Sequence, residues 1–163
     1  MVSVNEKKYR SLSERISDFV CNAKLDDLPE SVVEYGKIVL MDVFGVAMTC
    51  VDLEHARGIR KTLKELSSTG KCTLWGGCDT ANLADAVLHN SCLIHGADYD
   101  DTHIAAFAHP SAPVVSTALA CGELVNANGR EMLEAMVIGW EVIIRLGLAT
   151  KGRGDDIGFH TTG

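Results

Sequence analysis

The segment between Cys92 and Ser111 holds most of the side chains in this sequence that can transfer protons. Three aspartates, one threonine and three histidines occur within fifteen positions, interrupted by the apolar stretch 104–108: His95, Asp98, Asp100, Asp101, Thr102, His103 and His109. Polar groups packed among apolar residues are where pKa values shift. Crowded carboxylates raise one another's pKa, and an imidazole exchanges protons near neutral pH. The segment therefore predicts an acid–base site.

Structural roles for the same residues remain open at this point. Aspartates commonly cap helices and form Asx turns, so Asp98, Asp100 and Asp101 suit the start of a following helix. His95 ends an apolar helical pattern, where a histidine is more often a hydrogen-bonded core residue. His103 could simply face solvent.

Two metal-dependent alternatives share this segment. Asp98-x-Asp100-x-Thr102 matches the loop of aspartate-nucleophile phosphatases, in which magnesium lies between the two aspartates, and would make the protein a metal-dependent hydrolase. That loop should follow a β-strand, whereas here it follows a helical pattern. The second alternative is a zinc or iron site, because imidazole and carboxylate are suitable ligands. Its ligands would be His95, Asp98, Asp101 and His103.

The apolar periodicity elsewhere predicts helices. A capping box at Ser11 and Glu14 begins the first helix, and Pro29 precedes a second, buried helix of roughly 20 residues. The stretch 71–79 is typical of a loop or a short extended piece. Further helices are predicted from Glu54 to Ser67, from Thr80 to His95, from Val114 to Val125, and from Arg130 to about Thr150. No βαβ alternation occurs, so we expect an all-α helical bundle or layer, with residues 1–163 in one domain.

Composition limits the partners. The 163 residues include 22 acidic and 15 basic ones, for a formal net charge of −7. This charge disfavours nucleic acids and anionic membrane surfaces, which bind basic patches. A polycarboxylate substrate would then need a local cluster of Lys, Arg or His. Neither a signal peptide nor a membrane span is predicted, and the six cysteines form no C-x-x-C motif, which favours a reducing compartment, either the cytoplasm or the mitochondrial matrix.

The motifs His-Gly-Ala-Asp-Tyr-Asp-Asp-Thr-His (95–103) and His-Pro-Ser-Ala-Pro-Val-Val (109–115) resemble the signature of the MmgE/PrpD family. Members of that family include 2-methylcitrate dehydratase and cis-aconitate decarboxylase. Segments 73–77, 82–86 and 158–162 follow the family's order and approximate spacing. The resemblance therefore extends over essentially the whole chain.

This resemblance implies a lyase that acts on small di- or tricarboxylic acids without a metal or organic cofactor, commonly as a homodimer. It implies a large all-helical domain followed by a smaller α+β lid. The positions that match polar groups of the family's active site are Asp98, Thr102, His109 and His160. Asp101 and His103 belong to the same motif and are expected to help bind substrate by orienting these groups. The resemblance places the family's substrate-facing lysines and a tyrosine beyond Gly163.

Both reactions need proton transfer by groups of tuned pKa. Dehydration requires a base for a carbon-bound proton and an acid for the departing hydroxyl, while decarboxylation requires a proton donor to carbon. We expect His109 and His160 to transfer protons or bind carboxylates, with either one as the acid. Asp98 would orient an imidazole or a substrate hydroxyl, and Thr102 would donate a hydrogen bond.

The sequence stops inside the Gly158-Phe159-His160 motif, so we expect it to be a truncated form that lacks the lid. Missing segments would leave apolar helix faces uncovered. Self-association through such faces is expected, in addition to the implied homodimer. The alternative to an active lyase is thus an inactive fragment that acts only as a self-associating helical module.

Overall fold

The all-α prediction is confirmed. A computed structural model describes residues 10–66 and 68–150, together with Arg153 and Gly158. Its helices are α1 (Leu12–Asn22), α2 (Glu30–Cys50), α3 (Glu54–Glu65), α4 (Leu83–His95), α5 (Ser111–Val125) and α6 (Gly129–Thr150). Two-residue strands, β1 (Cys72–Thr73) and β2 (Thr80–Ala81), form an antiparallel pair, and 3-10 turns cover Leu25–Asp27 and Ile104–Ala106. Within these described stretches, no helix has the length and apolar character of a membrane span.

The predicted start of α1 is confirmed by its capping box. The Ser11 hydroxyl accepts from the Glu14 backbone N–H at 3.2 Å, and the Glu14 carboxylate accepts from the Ser11 backbone N–H at 2.7 Å. These contacts satisfy backbone donors that the first helical turn leaves unpaired. Pro29 lies immediately before α2, where it needs no backbone N–H.

Several predicted boundaries shift for local reasons. Helix α4 begins at Leu83 rather than Thr80, because Thr80 and Ala81 pair with β1 and the Asn82 side chain caps the helix. Helix α5 begins at Ser111, which places Pro113 inside its first turn, where a missing N–H costs little. Helix α3 ends at Glu65, before Gly70 is reached.

The main core forms where α4 packs against α2 and α5, and α5 packs against α6. It contains Val43, Ala47, Cys50, Ala56, Leu93, Ile94, Ala112, Val115 and Met136. Leu93 and Ile94 immediately precede His95, and Ala112 and Val115 lie just after the segment ends. Both ends of the histidine-rich segment are therefore anchored in the same core.

Helix α6 supports the middle of that segment through a close approach at Gly147. A Cβ added to Gly147 would lie 2.5 Å from the Ala106 carbonyl oxygen and 2.8 Å from the Ala106 Cβ. No side chain larger than hydrogen fits there without displacing backbone. Gly147 therefore lets α6 pack directly on the 3-10 turn Ile104–Ala106.

The prediction that α2 is buried on nearly all sides is wrong. Only one face is buried, through Gly36, Val43, Val46, Ala47 and Cys50. The other face leaves large apolar side chains exposed: Tyr35, Ile38, Met41 and Met48. When a helix has apolar residues on every side, the sequence cannot reveal which side packs against the core.

Self-association through the exposed face of α2 stays a prediction. Light scattering of the purified chain tests it, and Met41→Lys, which places a charge on that face, should reduce the association.

Replacing Gly147 by alanine should destabilise the protein by about 1–3 kcal/mol, the usual cost of overpacking. The matched control is Gly45→Ala, at a helical position where an added Cβ meets nothing within 4 Å. That variant should be more stable than the parent, by up to about 1 kcal/mol, because alanine favours helix. Urea denaturation followed by circular dichroism measures both. Equal effects of the two substitutions would contradict the close packing of α6 on the turn.

Candidate active site

The histidine-rich segment folds back on itself between the end of α4 and the start of α5. His103 pairs with Ala108 in an antiparallel bridge, in which the His103 N–H donates to the Ala108 carbonyl at 2.9 Å. This return brings His109 beside His95, with ring centroids 4.7 Å apart and ring planes at 57°. Two residues in the fold-back have left-handed backbone, Asp98 with φ 51° and Phe107 with φ 50°.

Asp100 lies at the centre of the cluster. Its side chain is 0% exposed, and its two carboxylate oxygens lie 3.0 and 3.2 Å from the Nδ1 atom of His95. The Nδ1 atom of His109 lies 3.2 Å from the same Oδ1 atom. One buried carboxylate is therefore shared by two imidazoles.

Thr102 and Asp100 together determine which nitrogen of His109 carries hydrogen. The Thr102 hydroxyl donates to the Asp100 backbone carbonyl at 3.2 Å and lies 3.2 Å from the Nδ1 atom of His109. A hydroxyl has one hydrogen, so Thr102 can only accept from His109. The ionised Asp100 carboxylate beside that nitrogen is also an acceptor. We therefore assign the hydrogen of neutral His109 to Nδ1 and its lone pair to Nε2.

Asp98 approaches the opposite nitrogen of the same ring. Its Oδ1 atom lies 3.6 Å from the His109 Nε2 atom, and its side chain is 81% exposed, against 14% for His109. The lone pair on Nε2 is thus directed toward the open side of the cluster. A proton accepted there would lie beside the Asp98 carboxylate. The arrangement can act as a general base.

Asp101 contacts the start of α5. One of its carboxylate oxygens accepts from the Ser111 backbone N–H at 3.3 Å. It also lines an apolar groove of about 440 Å³ beside Tyr35 and Trp140. Burial raises the pKa of Asp101 above its ordinary value, and the hydrogen bonds from Ser111 partly offset that rise.

His103 has a structural contact. Its Nδ1 atom accepts from the Ala106 backbone N–H at 3.1 Å and so caps the 3-10 turn. Of the predicted site residues, the structure brings together Asp98, Thr102 and His109, whereas Asp101 and His103 have these other partners. His160 lies outside the described residues.

Four side chains could contribute ligand atoms to a metal ion, all within 4.8 Å of one another: His95, Asp98, Asp100 and His109. The metal ligands considered from the sequence included Asp101 and His103, and these two do not belong to the ligand group found within residues 10–66 and 68–150. Each of the four offers one ligand atom within this range, and the same groups also contact one another directly, as described above.

Sequence reasoning missed the importance of Asp100 and His95. Asp100 entered only as a capping or phosphatase-loop residue, and His95 only as a core histidine or a metal ligand. Three aspartates of the same type lie within four positions, so residue type could not indicate which one turns inward. The spacing of His95 to Asp100 across a helix end was the available signal.

These features define a class before any relative is considered: an all-helical scaffold that carries an Asp–His–Thr cluster suited to acid–base chemistry. The chain belongs to the MmgE/PrpD family, because residues 14–163 match the MmgE/PrpD N-terminal domain. It is similar to cis-aconitate decarboxylase of Aspergillus terreus, with 22% identity over 155 residues that cover 92% of this chain. The sequence from strain NIH 2624 / FGSC A1156 matches equally, at 22% identity. The chain spans 32% of the length of each of these relatives.

The raised pKa of Asp101 predicts a pH-dependent effect of Asp101→Asn on stability. A folded-state pKa above the ordinary 3.8 means that the folded protein binds this proton more tightly than the unfolded chain. Ionised Asp101 therefore lowers stability as pH rises through its raised pKa. Asparagine cannot ionise, yet its Oδ1 atom can still accept from the Ser111 N–H. The variant should gain stability relative to the parent as pH rises from below the ordinary pKa of 3.8 through the raised pKa of the folded state.

Urea denaturation at a series of pH values measures this difference. The control is Asp52→Asn, at an exposed position outside the cluster. A stability difference for Asp101→Asn that stays constant with pH, or that falls as pH rises, would contradict the assignment.

Proposed function

We propose that this protein is a lyase that dehydrates or decarboxylates small di- or tricarboxylic acids by acid–base catalysis with its own side chains. Membership in a family of dehydratases and decarboxylases supports lyase chemistry. The observation that carries the proposal is the environment of His109. Asp100 and Thr102 hold its Nδ1 atom, and its Nε2 atom is directed toward Asp98 at the open side of the cluster.

In this proposal His109 takes a proton from, or returns one to, the substrate through Nε2. Asp98, mostly exposed and 3.6 Å from that nitrogen, stabilises the protonated ring or orients a substrate hydroxyl. Thr102 fixes the ring through Nδ1 and limits its rotation. His160 is proposed as the partner histidine on the strength of the family motif alone.

The substrate carboxylates need cationic partners. Within 10–66 and 68–150, every recorded ion pair of a lysine or arginine involves an acidic residue outside 98–101. The cluster thus offers imidazoles and a hydroxyl rather than ammonium or guanidinium groups. We propose that these imidazoles bind the substrate carboxylates.

The phosphatase alternative has less support. Its Asp-x-Asp loop should follow a β-strand in an α/β sheet, whereas Asp98 and Asp100 follow α4, and the strands in the described part of the chain are two residues long. The homodimer remains a proposal that rests on the family resemblance.

Turnover of 2-methylcitrate and cis-aconitate by the purified chain, with and without a chelator, tests the proposal. Asp98→Ala and His109→Ala should each lower turnover by at least ~100-fold, the scale of acid–base contributions. Product analysis by mass spectrometry separates dehydration from decarboxylation. Activity that survives the chelator supports catalysis without a metal, and activity that is lost supports the metal-dependent alternative.

The matched control is Asp52→Ala, which removes the same side-chain type as Asp98→Ala from an exposed position outside the cluster. It should retain the activity of the parent. Turnover close to that of the parent in both Asp98→Ala and His109→Ala would contradict the assignment. A folded, helical chain without any turnover would favour the non-catalytic, self-associating module.

A further inference from the structure

Asp100 contacts two imidazoles, those of His95 and His109. Of these two histidines, the family motif and the proposed mechanism give a role only to His109. We propose that Asp100 is a positioning residue that holds His95 and His109 as a matched pair, and that His95 is a second proton-transfer group of the site. The Oδ1 atom of Asp100 lies 3.0 Å from the Nδ1 atom of His95 and 3.2 Å from the Nδ1 atom of His109. The second part of this inference rests on the proposed function, and the first part does not.

The hydrogen of neutral His95 can be assigned by the same reasoning as that of His109. Both oxygens of Asp100 lie within hydrogen-bond distance of its Nδ1 atom, at 3.0 and 3.2 Å. An ionised carboxylate only accepts, so the Nδ1 atom of His95 carries hydrogen and Nε2 carries the lone pair. The carboxylate thereby fixes one tautomer in both rings, as the aspartate of a serine-protease triad does for one ring.

A carboxylate with a fully buried side chain also constrains its partners. Removing it from water is costly unless hydrogen bonds and opposite charge compensate. The imidazole N–H groups are the side-chain donors placed to do this. His95 has a side chain that is 36% exposed, so it joins the buried carboxylate to the accessible surface.

Two basic Nε2 atoms on neighbouring rings suit a dehydration. His109 accepts the proton as the carbon–hydrogen bond breaks. The electron pair of that bond forms the new carbon–carbon double bond. Protonated His95 gives its Nε2 hydrogen to the departing hydroxyl, which leaves as water. Proton exchange between the rings or with solvent restores both, so the substrate loses one water and the protein is unchanged. The two rings are neighbours, with centroids 4.7 Å apart, as a two-histidine dehydration requires.

Nitrogen-15 NMR of the histidine-labelled chain tests the positioning directly, at about pH 8 where ordinary imidazoles are neutral. His95 and His109 should both show the Nδ1–H tautomer, with assignments from His95→Gln and His109→Gln. His103 is the internal reference, because its Nδ1 atom accepts from the Ala106 N–H and it must carry hydrogen on Nε2.

Asp100→Leu, which removes both acceptor oxygens, should remove the Nδ1–H preference of His95 while leaving His103 unchanged. His109 is not the readout in this variant, because Thr102 still accepts from its Nδ1 atom. Asp52→Leu should change none of these rings. The parent spectrum alone is decisive should Asp100→Leu fail to fold. Nε2–H tautomers for His95 and His109 in the parent, or a His95 Nδ1–H tautomer that persists in folded Asp100→Leu, would overturn the positioning role.

Kinetics test the role of His95. Asp100→Asn should lower kcat by about 10²–10⁴-fold, the scale of losing the correct tautomer, with KM within about twofold of the parent. His95→Gln should lower kcat by at least ~100-fold. A kcat near that of the parent for His95→Gln overturns the proton-transfer role. A parent chain without turnover contradicts both the proposed function and that role, while the spectra still decide the positioning by Asp100.

Discussion

The contact of one buried carboxylate with two imidazoles, through a hydrogen bond with His95 and a 3.2 Å approach to His109, is the interaction on which the site depends. Asp100 has no exposed side-chain surface, and its oxygens lie 3.0–3.2 Å from the Nδ1 atoms of His95 and His109. An unpaired buried carboxylate would cost several kcal/mol, so the fold must deliver both rings to it. That requirement fixes the tautomer of each ring and directs a basic nitrogen of His109 to the open side of the cluster.

The scaffold meets this requirement by anchoring an irregular segment at three places. Core residues immediately before His95 and after Ser111 hold its two ends. Helix α6 holds its middle, because Gly147 allows direct contact with the backbone of Ala106. The segment is thus a loop by secondary structure but is fixed by packed helices, which is how catalytic groups are kept in a productive geometry.

Local chemistry made much of the fold predictable. The capping box at Ser11 and the apolar periodicity of the helices depend on residues close together in sequence. The start of α4 shifted because Thr80 pairs with β1, a contact that no local pattern reveals. The sequence was enough to locate the segment that forms the site, and the approach of Asp98 to His109 agrees with the family motif. The inward orientation of Asp100 could not be predicted from the sequence. It depends on the fold-back of the segment and on the left-handed backbone at Asp98, which together turn one of the three aspartates inward.

We propose that this cluster, carried by a helical domain of the MmgE/PrpD family, receives a carboxylic acid substrate at the Nε2 atom of His109. Titration of the nitrogen-15-labelled chain with propane-1,2,3-tricarboxylate, an unreactive tricarboxylate, tests this role without requiring turnover. We predict saturable shifts of the His109 and His95 ring nitrogens, lost in His109→Gln, with His89, which is buried beside Asn90, unaffected. Unchanged His109 and His95 resonances, or shifts of equal size at His89, would contradict it.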